Sequence, residues 1–313
     1  FEDVSEATGV AHLGEAYYFA SMADYDNDGK LDILVTGLSS DGWYPTLLFR
    51  NTTEEGGPVS FEETADQAGV LSLLGMNMMA GTWADYDDDG DQDLFIAPSA
   101  DYPVFLYRNE GDGTFTDVSI EAGFGDSFGN CRAAVWGDYD NDGDLDIFIG
   151  RRTYDETPDM DICQFFRNDG GVFTEIESAR IQGKVIYGVA AGDYDNDGDL
   201  DLHLLDSEFA DLMLRNDGDF SFTDVTEEAH LIKAASPSGW GELDIGDRGG
   251  QTWADWDADG DLDLMLPGES GKIPYMMRND GGNENNWLEV KLTGVQSNRS
   301  AVGRGPLRPR GHG

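Results

Sequence analysis

The chain is short of positive charge. Lysine and arginine number 19 in 313 residues, against 63 aspartates and glutamates, and the formal net charge is −44. A surface that negative excludes nucleic acid and anionic membranes as partners. Cysteine is scarce too. Cys131 and Cys163 flank one acidic segment and leave two readings open, a single bridge or two buried thiols. The four histidines, His12, His203, His230 and His312, stand in unlike contexts without metal-ligand spacing, which points to surface or loop positions. No apolar run approaches the ~18–20 residues of a membrane span, so membrane insertion is not expected. There is no Gly-x-Ser-x-Gly elbow and no phosphate-binding P-loop. The chain begins at Phe1 without methionine or leader, as a mature or trimmed product would. A hydrophobic fraction of 39% with 11% aromatics still provides for a core, so this is no disordered acidic tail.

What is abundant is aspartate in one pattern, Asp-x-Asp-x-Asp-Gly-x-x-Asp, which occurs five times. The side chains at positions 1, 3, 5 and 9 are Asp24, Asp26, Asp28 and Asp32; Asp85, Asp87, Asp89 and Asp93; Asp138, Asp140, Asp142 and Asp146; Asp193, Asp195, Asp197 and Asp201; and Asp255, Asp257, Asp259 and Asp263. Four carboxylates in nine residues repel one another unless a cation lies between them. A hard ion with six to eight oxygen ligands suits such a flexible cage, which predicts Ca2+, about five per chain. Position 7, occupied by Lys30, Asp91, Asp144, Asp199 and Asp261, would contribute its backbone carbonyl. Glycine at position 6 (Gly29, Gly90, Gly143, Gly198, Gly260) permits the sharp turn. An EF-hand is excluded, because it needs a bidentate glutamate at position 12. Here that position holds Val35, Ile96, Ile149, Leu204 and Leu266.

The loops start 61, 53, 55 and 62 residues apart. A period of this size indicates an array or propeller. Two other marks recur in phase. An aromatic opener stands at Phe1, Phe61, Phe115, Phe173 and Phe222, and an Arg-Asn pair at Arg50-Asn51, Arg108-Asn109, Arg167-Asn168, Arg215-Asn216 and Arg278-Asn279. One unit therefore reads as opener, small-residue strand, acidic loop, apolar strand, and a second apolar strand ending in Arg-Asn. That predicts an all-β fold, a β-propeller of four-stranded blades with the loop between the first two strands. Ser119 to Gly123 and Glu227 to His230 have room for one helical turn each. Trp83, Trp136 and Trp253 share one repeat position and are expected in the core rather than as a sugar platform. The repeated arginine is expected to pair with a carboxylate of the next blade.

These repeats resemble the FG-GAP/VCBS repeats of integrin α-subunit propellers and of secreted bacterial proteins, from Phe1 to about Gly282. The stretch from Asn286 to Gly303 is similar to the opening of the ASPIC/UnbV segment, which follows such propellers in the ASPIC/UnbV (cartilage acidic protein-like) family. The domain reading is then 1–282 propeller, 283–303 start of the ASPIC/UnbV-like segment, and 304–313 a basic tail. The resemblance implies an extracellular, calcium-stabilised, non-catalytic adhesion, protein-interaction or assembly module. It carries over the loop aspartates as metal ligands and no catalytic residue. Integrin-type rings have seven blades, so the five repeats are either a complete ring or part of a larger one. Phe1 and Trp287 both fall in phase with the repeat, which favours the ring of five.

Specific binding is expected where the repeats differ. The fifth unit carries an insert around Ser236 to Gly250, with Trp240, Glu242, Asp244, Asp247 and Arg248. Longer connections run from Ser39 to Tyr44, with Trp43, and from Arg151 to Asp161. The expected partner is a protein or glycan in the extracellular space, or another copy of the chain. The competing readings are a calcium-dependent lectin, a subunit of an extracellular polymer and, furthest back, a polysaccharide-active enzyme.

Overall fold

The structure is a computed structural model that describes residues 1–11, 15–39, 46–70, 78–98, 102–125, 130–151, 162–182, 184, 186–206, 211–231, 250–266 and 275–281. The expected inserts at 236–249, 40–44 and 152–161, and the segments 283–303 and 304–313, lie outside the described residues.

The fold is all-β, a five-bladed β-propeller. Blade 1 is formed by β1 (Glu15–Ala23), β2 (Asp32–Ser39), β3 (Leu47–Asn51) and β4 (Phe61–Glu63). Blade 2 is formed by β5 (Met78–Ala84), β6 (Asp93–Pro98), β7 (Phe105–Asn109) and β8 (Phe115–Asp117). Blade 3 contains β9 (Cys131–Gly137), β10 (Asp146–Arg151), β11 (Ile162–Asn168) and β12 (Phe173–Glu175), with β13 (Ile181–Gln182) pairing onto β11. Blade 4 contains β14 (Ile186–Gly192), β15 (Asp201–Asp206), β16 (Leu212–Asn216) and β17 (Phe222–Asp224). Blade 5 shows three strands among the described residues, β18 (Thr252–Ala254), β19 (Asp263–Leu266) and β20 (Tyr275–Met277). The chain divides into two compact units between Cys131 and Arg132, blades 1 and 2 in the first and the remaining blades in the second.

The acidic loop joins the first two strands of every blade, as its sequence position requires. The opener does not start its own blade. It pairs with the Arg-Asn strand before it, Phe61 opposite Asn51 and Phe115 opposite Asn109, and so completes the preceding sheet. The sequence unit is thus offset by one strand from the structural blade.

The second strands β6, β10 and β15 are buried at every position, whereas β19 exposes Met265. The innermost strands are small-residue strands because neighbouring blades press on them. A Cβ on Gly81 would come within 2.5 Å of Leu34 Cδ2, and one on Gly192 within 2.9 Å of the Trp253 ring. Trp83 fills the seam between blades 1 and 2, stacked on Tyr25 at 6.3 Å between centroids. Trp136 packs against Phe173 at 5.9 Å, which bears out the core reading of this position.

Among the described residues helix is confined to short turns after the openers, Ser5–Thr8, Ala65–Ala68 and a 3-10 turn at Glu177–Ala179. The two segments expected to make one helical turn each, 119–123 and 227–230, each close a single turn, with the Ala122 N–H bonded to the Val118 carbonyl and the Ala229 N–H to the Val225 carbonyl, both at 2.8 Å. No helix among the described residues is long and apolar enough to cross a membrane. Cys131 and Cys163 are both buried, and Cys163 Sγ accepts the Arg151 N–H at 3.3 Å. His203 is fully buried in β15 and lies edge-on to Trp253, contrary to the surface position expected of it. Its neighbours in a continuous apolar strand carry it into the core.

Candidate metal centres

Each loop is shaped by its own hydrogen bonds. The carboxylate at position 1 accepts the N–H of the position-6 glycine in all five loops: Asp24 from Gly29 at 3.0 Å, Asp85 from Gly90 at 3.1 Å, Asp138 from Gly143 at 3.0 Å, Asp193 from Gly198 at 3.1 Å and Asp255 from Gly260 at 3.1 Å. The position-5 carboxylate accepts the N–H of position 7, as in Asp89 from Asp91 at 2.9 Å and Asp197 from Asp199 at 2.9 Å. Glycine is needed at position 6, where φ runs from 86° to 106°. Position 4 is also left-handed, at Asn27, Asp88, Asn141, Asn196 and Ala258, with φ between 55° and 61°. Asn and Asp tolerate that region best, which explains four of the five residues found there.

The ninth aspartate has a second role. Asp32, Asp93, Asp146, Asp201 and Asp263 are fully buried. One carboxylate oxygen of each accepts the N–H of loop position 2, as in Asp146 from Tyr139 at 2.8 Å. The other accepts the N–H of the blade's Arg-Asn asparagine, as in Asp93 from Asn109 at 2.8 Å. The residue thus clips the loop to the third strand. Burial pushes its carboxyl up, to about 7 at Asp32 and about 8 at Asp93, Asp146 and Asp201, and the two backbone donors oppose that rise.

The aspartates of each loop converge. One oxygen from each of Asp24, Asp26 and Asp32 lies within 4.8 Å of the others, and the same holds for Asp85, Asp87 and Asp93 and for Asp138, Asp140 and Asp146. In the last two loops the converging sets are Asp193, Asp195 and Asp197, and Asp255, Asp257 and Asp259. These groups can hold a metal ion. The fit to a cation rests on the unspent oxygens. Oδ1 of Asp24, of Asp85 and of Asp87 is buried and accepts no hydrogen bond. A buried carboxylate oxygen without a donor costs several kcal/mol in solvation, so a positive partner is what the geometry of the first two loops lacks. Three position-7 aspartates direct their side chains away from the loop centre: Asn27 Nδ2 donates to Asp91 Oδ1 at 2.6 Å, Asp144 accepts the N–H of Gly170 at 2.9 Å, and Asn141 donates to Asp199, whereas Lys30 pairs with Asp28 of its own loop.

Two structural residues escaped the sequence reading. In three of the Arg-Asn pairs, at Asn109, Asn216 and Asn279, the asparagine is a fixture between blades. Asn216 Nδ2 donates to the Tyr139 carbonyl at 2.8 Å, and Asn279 Nδ2 to the Tyr194 carbonyl at 2.7 Å, each reaching the loop of the blade before. The position-4 asparagine links successive loops, as Asn196 Nδ2 does to the Gly260 carbonyl at 2.9 Å. Recurrence of Asn in all five Arg-Asn pairs and in three of the five loops at position 4 was the available signal. The arginine, by contrast, stays within its own blade. Arg50 pairs with Glu62 at 2.8 Å, Arg167 with Asp169 at 3.0 Å and Arg215 with Asp217 at 2.8 Å. The expected pairing with the next blade is corrected accordingly. The carboxylates lie one turn or one strand away, within easier reach.

The FG-GAP-like repeat family matches residues 85–149. The chain is 28% identical over 300 residues to cartilage acidic protein 1 of Mus musculus, covering 92% of this chain and 44% of that protein. It is 31% identical over 195 residues to cartilage acidic protein 1 of Xenopus tropicalis, covering 60% of this chain and 29% of the relative. The chain therefore spans less than half the length of the curated relatives it matches. Among solved structures, an Agrocybe aegerita lectin with specific recognition of non-reducing terminal N-acetylglucosamine aligns over 86% of this chain and 67% of its own, at 19% identity and a TM-score of 0.46. The chain is a β-propeller that matches the FG-GAP-like repeat family over residues 85–149 and is similar over most of its length to cartilage acidic protein 1.

Proposed function

We propose that the chain is an extracellular, calcium-stabilised interaction module without catalytic activity. The observation that carries this reading is the set of buried, unshared oxygens of Asp24, Asp85 and Asp87 within converging carboxylate groups. Positions 1, 3 and 5 would hold the ion, the position-7 carbonyl would add a backbone ligand, and the ninth aspartate would close the cage while clipping the third strand. Bound Ca2+ would supply the positive charge that lets these carboxylates share one loop. Weak all-carboxylate loops fill where free calcium is high, which favours the extracellular space. The similarity to proteins named for cartilage supports the same location.

The acidic side chains are largely committed to loop structure and ion, which leaves interaction to the rims of the blades. The partner is an extracellular protein or glycan, recognised through loops on a rigid scaffold. Purified chain is applied to immobilised extracellular proteins and glycans in calcium and in chelator. Saturable binding lost in chelator is expected, with acidic polysaccharides recovered intact. Turnover of a polysaccharide would overturn the non-catalytic reading. Binding indifferent to chelator would overturn the role given to calcium.

A further inference from the structure

The loop beginning at Asp24 is tied to the loop beginning at Asp85. Asn27, position 4 of the first, donates its side-chain amide to Asp91 Oδ1 at 2.6 Å, and Asp91 is position 7 of the second. The contact recurs further along the chain. Asn141 donates to Asp199, and Asn196 donates to the Gly260 carbonyl at 2.9 Å, each from position 4 of one loop to position 7 or 6 of the next. Asp88 and Ala258 hold position 4 of the remaining two loops and carry no amide to donate. The bond therefore belongs to chosen pairs of loops rather than to the repeat as such.

Both ends of the Asn27–Asp91 bond are set by groups that would hold the ions. Asn27 stands between Asp26 and Asp28, positions 3 and 5 of its loop, in left-handed backbone at φ 57°. Asp91 is the residue whose carbonyl would serve the second ion, and its N–H is held by Asp89 at 2.9 Å. Its Oδ2 lies against the turn at Gly111, where a Cβ would come within 2.7 Å of it. Each loop also has a ligand oxygen to spare. Asp24 and Asp85 are both 8% exposed, and Oδ1 of each accepts no hydrogen bond. Asn109 joins the bases of the same two loops, at the Tyr25 and Gln92 carbonyls, and is buried. Asn27 and Asp91 are half-buried and join the tips, so their bond needs both tips in order.

We propose that the loops beginning at Asp24 and Asp85 bind Ca2+ as a coupled pair through the Asn27–Asp91 hydrogen bond, an inference that rests on the calcium reading above. An ion in either loop orders the backbone at one end of the bond. The bond then orders the other loop, which gives up less conformational freedom when its own ion arrives. Such coupling is reciprocal, so each ion tightens the other by the same factor, here about ten-fold. A first ion also weakens the negative potential that draws the second, an opposing effect that salt screens.

A calcium titration of the full chain with isotope-labelled glycine, followed by nuclear magnetic resonance at screening ionic strength, tests this. The Gly29 and Gly90 N–H groups, each bonded to the first aspartate of its loop, report the two loops separately. Asp89→Asn, which disables the second loop, should raise the calcium needed at Gly29 by about ten-fold. Asn27→Gly deletes the donor and keeps the left-handed backbone. In that background Asp89→Asn should leave the Gly29 midpoint where it was. A Gly29 midpoint that Asp89→Asn does not move in the native chain would overturn the coupling. So would an equal movement with and without the Asn27 amide, or an equal movement at Gly198 of the loop beginning at Asp193, which would signal general destabilisation. No calcium response at any of these glycines would remove the calcium reading itself.

Discussion

The side-chain amide of Asn109 donates to the backbone carbonyl of Tyr25, 84 positions earlier, at 2.8 Å. The same amide donates to the Gln92 carbonyl at 3.0 Å, and its oxygen accepts from Gly111 at 3.0 Å. One buried residue thus holds its own turn, its own acidic loop and the loop of the blade before. Asn109→Ala strands two carbonyls and an N–H, and should cost about 2–3 kcal/mol. Asn51, half-buried, donates to the Leu31 carbonyl of its own blade at 3.0 Å. Asn51→Ala should cost about 1 kcal/mol. Urea denaturation of the two variants in calcium checks the order.

The ninth and fifth aspartates should separate by phenotype. Asp93 is fully buried between the N–H groups of Tyr86 and Asn109, at 3.2 and 2.8 Å. Asp93→Asn turns an amide donor toward a backbone donor and should destabilise by about 2–3 kcal/mol with or without calcium. Asp89 is exposed. Asp89→Asn should remove one ion from the chain and leave the metal-free stability unchanged. Melting in chelator at high ionic strength, which screens the loops, makes the comparison.

Ala258 holds φ at 61°, where the other loops carry Asn or Asp. An alanine in left-handed backbone costs roughly 1–2 kcal/mol, and asparagine relieves part of it. Ala258→Asn should raise stability by about 0.5–1 kcal/mol. An unchanged or lowered melting temperature would contradict the strain assigned to this position.

Removal of calcium should reveal an inverted pH dependence. Burial raises Asp85 to about 6, Asp32 to about 7, and Asp93, Asp146 and Asp201 to about 8. Between the ordinary carboxylate value near 4 and about 8, the folded chain then holds more protons than the unfolded one. Stability in chelator should therefore fall as pH rises through that window. Saturating calcium takes the place of those protons and should flatten or reverse the slope. Melting curves at several pH values, with and without chelator, read the sign directly.

Much of this was legible in the sequence because the chain repeats itself. A nine-residue loop found five times marks the repeat and favours a count of five blades, and Leu145 to Ile149 reads as a buried strand from its run of apolar residues. What could not be read is pairing between repeats. Phe61 belongs to the sheet before it, and Arg50 to Glu62 rather than to a later blade. Local order along a chain is silent on which edge a short strand joins. His203 shows the same limit, since a histidine in an apolar strand goes wherever the strand goes. The ninth aspartate was read as a ligand alone, because a carboxylate's backbone donors leave no residue pattern of their own.

The most direct measurement of the central claim is metal content joined to thermal melting, with and without a chelator. The account predicts about five Ca2+ per chain, one for each of the carboxylate groups beginning at Asp24, Asp85, Asp138, Asp193 and Asp255, and a large fall in melting temperature when they are removed. A chain that contains no calcium and melts at the same temperature in chelator would contradict it.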